Sequence, residues 1–148
     1  MKKIILVALA VILAACSAGG SEFSRNLEKW NDANVQHYRF LLNVSCFCAF
    51  RDQMPLIVEA LNGEVVSMAG SDGSVIAADD PNYELFSKYA TIDRLFSELE
   101  ADLGGGADEV TVTYDSTYGF PSEISIDFIK NAADDELYLS ASGFETLP

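Results

Sequence analysis

Apolar positions recur along this chain with two different periods. From Glu22 to about Val35, Phe23, Leu27, Trp30 and Asn34 fall at helical spacing with charged residues between them, which predicts a first amphipathic helix whose stripe packs into a core. From Tyr38 the period drops to two. Tyr38, Phe40, Leu42, Val44, Cys46 and Cys48 share one face of a predicted strand, with Arg39, Leu41, Asn43 and Ser45 on the other. The run "PLIVEALNGEVVSM" then predicts two strands around Asn62-Gly63, a pair suited to a type I′ turn because both central residues tolerate positive φ. Beyond the loop at Asp72-Gly73 and "AADDPN", a short strand is expected at Val75 to Ala77 and a helical turn over Tyr83 to Ala90. Thr91 is placed to cap a helix in which Ile92, Leu95, Phe96, Leu99 and Leu103 form one face, ended by Gly104-Gly105-Gly106.

Three alternating runs close the chain. They centre on Val110, Val112 and Tyr114, on Ile124, Ile126 and Phe128, and on Leu137, Leu139 and Ala141. Connections as short as "DSTYGFP" and "KNAADD" require antiparallel neighbours. The expected fold is therefore α+β: an antiparallel sheet of about five or six strands with two main helices on one face. Glu123, Ser125 and Asp127 alternate with the apolar residues, so the other face meets water.

The first residues do not belong to that fold. Met1-Lys2-Lys3 precedes the apolar run "IILVALAVIL", a stretch too short to span a ~30 Å hydrocarbon core and suited to a secretory signal. Leu13-Ala14-Ala15-Cys16 resembles the lipobox of bacterial lipoproteins, which implies cleavage before Cys16 and lipid on it. Several acyl chains on one cysteine anchor a protein stably where a single chain does not. The division expected is a signal peptide over 1–15, a lipid-anchored flexible linker over 16–23 and one domain over 24–148. The implied location is the bacterial envelope, outside the cytoplasm and attached to a membrane. Ser17 stands where aspartate would be the inner-membrane retention signal of Gram-negative bacteria, which points to the outer membrane in a host that has one.

The formal charge is −14 and becomes −16 once Lys2 and Lys3 leave with the signal. That balance excludes nucleic acid as a ready partner, since phosphate binding needs a basic patch. It also opposes direct contact with an anionic membrane, leaving the lipid as the attachment; a partner protein, unidentified, would be attracted through cationic groups, although the acidity defines no site. "YRFLLNVSCFC", "NGEVVS", "TIDRLFSEL" and the segment from Val112 to Glu145 together resemble a family of small bacterial lipoproteins known only as a domain of unknown function. The resemblance implies this fold and an envelope location, and implies no activity.

With Cys16 lipidated, Cys46 and Cys48 have only each other in an oxidising compartment. In a regular strand their Cα atoms would lie roughly 6.6–6.8 Å apart, against the roughly 5.5–6 Å that disulfides favour, so a bond needs a bend there. An intrachain disulfide is the expectation; a free pair, an intermolecular bond, and redox or metal work are the alternatives. A catalytic thiol needs a cation nearby, and Arg51 and His37 are the candidates. A pair reachable by solvent beside either residue favours a thiol-disulfide redox protein. A pair sealed under Phe40 and the first helix favours a module without catalysis.

Other chemistry is thin. Asn131 to Glu136, "SDGS" and "AADD" are oxygen-rich loops that invite calcium, yet none has EF-hand spacing. His37 has no nucleophile-elbow serine to serve. The hairpin formed by Tyr114, Asp115, Tyr118, Gly119, Phe120 and Pro121 puts aromatic residues where turns are usually polar. It either offers a contact surface or folds back over the sheet edge. These observations lead to a non-enzymatic binding or structural module with an acidic surface, without cofactor or metal.

Overall fold

A computed structural model describes residues 18–148, with side chains from Glu22 onward. The expected signal peptide, the lipobox and Cys16 lie outside the described residues. Among those described, no helix is long and apolar enough to cross a membrane.

Helix α1 (Ala18–Ala33) begins inside the 16–23 stretch expected as linker. Phe23 explains this, because its buried ring meets Phe96 edge-on at 5.7 Å and fixes the backbone beside it. At the other end Asn34 takes a φ of 46°, the left-handed conformation that stops a helix.

Strand β1 (His37–Ser45) follows and pairs with β2 (Leu56–Leu61), which turns into β3 (Glu64–Ala69). Asn62 and Gly63 have φ of 53° and 78°, as the type I′ hairpin requires. The strand expected at Val75 to Ala77 is reduced to one bridge between Val75 and Ala69, and Val75 stays exposed. Helix α2 (Tyr83–Ser87) buries Phe86, and α3 (Ile92–Ala101) buries Ile92, Leu95, Phe96 and Leu99. Thr91 caps α3 as expected, its hydroxyl accepting from the Arg94 amide at 3.2 Å. Leu103 does not join that face. The helix ends at Ala101, ahead of a wide glycine turn in which Gly105 has a φ of 113°, so Leu103 falls on the surface.

Strands β4 (Glu109–Tyr114), β5 (Pro121–Asp127) and β6 (Glu136–Thr146) form an antiparallel meander. Strand β6 then pairs with β1, giving a six-stranded antiparallel sheet in the order β3-β2-β1-β6-β5-β4. The fold is α+β. Tyr38, Phe40, Leu42 and Val44 point from the centre of the sheet to the helices, where Tyr38 touches Trp30 and its hydroxyl accepts from the Ile92 amide at 3.0 Å. Between Arg39 and Leu41 the register slips, with Gly143 in β6 at a φ of 58°. This bulge reverses the alternation along β6, so Ala141 and Phe144 both turn inward. Phe144 thereby reaches Trp30, Tyr38, Tyr118 and Phe120, with ring centroids 4.8–5.9 Å apart.

Candidate functional site

Strand β1 stops at Ser45, so Cys46 and Cys48 lie just past the strand expected to carry them. The Cys48 amide donates to the Cys46 carbonyl at 2.8 Å, closing a three-residue γ-turn with Phe47 at its centre. The turn brings the two Cα atoms to 5.1 Å and the sulfurs into a disulfide. The required bend is thus supplied by ending the strand. Both cysteines are half-buried, while Phe47 between them is 78 % exposed. Phe50 turns back under the fold and meets Phe86 of α2 edge-on at 4.9 Å, which ties the loop down directly behind the disulfide.

One turn of 3-10 helix, Arg51–Gln53, continues from Phe50 and carries Arg51 outward. Arg51 stands between two grooves. One, of about 410 Å³, is walled by Phe47, Cys48, Ala49 and Arg51. The other, of about 290 Å³, runs past Cys46 and Arg51 to Asp134, Glu136 and Tyr138 at the start of β6. The disulfide therefore reaches solvent beside a guanidinium. It is not sealed under Phe40 and α1.

The remaining expected residues lie elsewhere. His37 begins β1, at the end of the strand opposite the disulfide. Its Nε2 faces Glu59 Oε1 at 2.9 Å and its Nδ1 faces the Pro148 carbonyl oxygen at 2.9 Å. Two acceptors on one ring suit the doubly protonated imidazolium, so the Glu59 hydrogen bond first, and Pro148 second, hold the His37 pKa above 6.5.

The aromatic hairpin does not stand free. Phe120 is buried against Trp30, Tyr118 is half-buried on Phe144, and Gly119 seats the turn on α1. Asp115 accepts from the Thr117 and Tyr118 amides at 2.9 and 2.6 Å, and Lys29 of α1 donates to the Ser116 carbonyl at 2.5 Å. Burial pushes the half-buried Tyr114 up to about 12, with the negative charge of Glu22 adding to it. Pro121 opens β5 and is buried. Phe120 and Tyr118 thus turn back onto α1 and onto Phe144 of β6.

In the loops that invited calcium, Asp72, Asp80 and Asp135 each accept from a nearby backbone amide, while Asp135 Oδ1 is shielded without a partner. Asp72 accepts from the Ser74 amide and hydroxyl, at 2.9 and 2.6 Å, which lowers its pKa. Asp135 Oδ2 accepts from the Ile129 amide at 2.7 Å. Among the described residues no three or more His, Cys, Asp or Glu side chains are grouped to hold a metal ion. Sequence reasoning missed Asp127, whose Oδ1 is shielded without a partner; desolvation first, then Asp135, Glu136, Glu109 and Asp108, raise its pKa. No local pattern marks that crowding, because it arises where β4, β5 and β6 meet.

The chain matches the profile of a family of unknown function, DUF6174, over residues 22–146, and so belongs to that family. Neither the curated proteins nor the solved structures offer a match to it.

Proposed function

We propose that this chain is a lipid-anchored domain of the bacterial envelope, attached through Cys16, that acts as a non-enzymatic binding module with the disulfide end of its sheet as the contact surface. The observation that carries the binding role is Phe47, a ring left 78 % exposed by a closed turn and a disulfide. Full burial of such a ring is worth about 1.5–3 kcal/mol, so a fold that holds it outward retains that free energy for a partner. The turn and the disulfide fix the backbone that carries the ring, which reduces the entropy that association must lose. The anchor is supported by the charged start, apolar run and Leu13-to-Cys16 segment. A photo-crosslinking phenylalanine at position 47, in cells, tests the surface against the same residue at Val75, which is 77 % exposed. A discrete adduct at 47 that is absent at 75, and that weakens with Cys16→Ser, is expected. Equal labelling at both positions contradicts the reading.

The placement of the disulfide beside Arg51 favours a second reading, thiol-disulfide exchange by Cys46 and Cys48. A nearby guanidinium stabilises a thiolate. Alkylation rates of the reduced protein against pH decide it: a thiol pKa well under the usual ~8.5 supports redox work, and one at or above that value removes it.

A further inference from the structure

We infer that the groove between Phe47 and Arg51 receives a protein segment in which an apolar side chain stands next to a carboxylate. The inference rests on the binding-module reading and specifies its ligand. Its first ground is how this acidic chain disposes of its cations. Arg39, Lys88, Arg94 and Lys130 face Glu145, Glu98, Glu64 and Glu109, and Lys29 donates to a backbone carbonyl. Arg51 is exposed and its guanidinium has no hydrogen-bond or ion-pair partner among the described residues, although the chain carries 23 acidic residues.

The second ground is the wall of the groove. Phe47, Cys48 and Ala49 offer apolar surface to about 410 Å³ of space, and a polar group buried there without a partner loses its hydration uncompensated. The occupant's body is therefore apolar. Its edge meets a planar fork of donors that matches a carboxylate and, being weakly hydrated, tolerates an apolar surround. The two requirements stand side by side because Phe47 and Arg51 are held by one short segment, stapled at Cys46–Cys48 and pinned by Phe50 under α2. Asp134 and Glu136 line the neighbouring groove and the anchored chain carries a formal charge of −16, so away from Arg51 an acidic partner is repelled and Arg51 sets where and in which register such a segment docks.

The test uses the full chain in lipid nanodiscs and fluorescence anisotropy of two labelled hexapeptides, Gly-Ser-Phe-Asp-Ser-Gly and its Asn counterpart. The acidic peptide is expected to bind roughly two- to fivefold more tightly at low salt, the range of an exposed ion pair. Arg51→Gln is expected to abolish that preference, and Phe47→Ser to weaken both peptides. Equal binding of the two peptides to the unmodified chain, or a preference that survives Arg51→Gln, overturns the carboxylate specificity and leaves the contact surface standing. Failure of both peptides to bind, or binding indifferent to Phe47→Ser, overturns the surface as well.

Discussion

Histidine 37 illustrates how a residue's chemistry depends on placement that its neighbours in sequence do not reveal. It stands near the cysteines in the chain, but β1 separates them along its whole length, and the ring instead ties β2 to the residues after β6. Because Glu59 and Pro148 raise its pKa above 6.5, its contribution is fully present below about pH 6.5 and is lost as pH rises through the folded value. His37→Gln should therefore lower the urea midpoint at about pH 5.5 and have a smaller effect at about pH 9. An equal effect at both would contradict this assignment. Gly119 makes the same point sterically. Its φ is 82°, and an added Cβ would sit 2.7 Å from the Asn26 carbonyl oxygen and 3.0 Å from Lys29 Cβ. Gly119→Ala should cost about 1–3 kcal/mol in chemical denaturation and free the hairpin from α1. The sequence shows a glycine in a turn; the helix pressing on it comes from far along the chain.

Most elements were legible because each carries its own period and its own stops. Thr91 before α3, the Asn62-Gly63 turn and the alternation of β4 to β6 are local signals, and the structure follows them. Boundaries were less legible where tertiary packing moved them. Phe23 draws α1 back to Ala18, the γ-turn at Phe47 ends β1 before its cysteines, and the bulge at Gly143 returns Phe144 to the core against simple alternation. The candidate site depends on the second of these, since a strand continued through Cys48 would pair the backbone of Phe47 within the sheet and lay its ring along the outer face. Replacing both cysteines with serine removes a very small loop, so global stability should fall by only about 1–2 kcal/mol. The amides of Phe47 to Arg51 should nevertheless lose hydrogen-exchange protection relative to the rest of β1. Uniform loss across the sheet would show that the staple holds the fold rather than the tip.

At the scale of the whole molecule, two antiparallel halves meet where β1 pairs with β6, and both main helices cover one face of the resulting sheet. The apolar alternation predicts that layering. It does not predict the central β1–β6 pairing, which joins distant parts of the chain and leaves no local mark. The same limit applies to the site: Cys46, Phe47 and Arg51 are sequence neighbours, whereas Asp134, Glu136 and Tyr138 arrive beside them only through that pairing. The aromatic hairpin was legible as a feature, and the side it took was decided by α1. The proposed role further requires that the domain be held at a membrane in an oxidising compartment, and that requirement meets its most direct test in the intact mass of the protein extracted from membranes. The expected mass is that of a chain lacking residues 1–15, with acyl groups on Cys16 and two hydrogens fewer than the reduced Cys46 and Cys48 would give. A chain with Cys16 unmodified, or with both other thiols free, would contradict it.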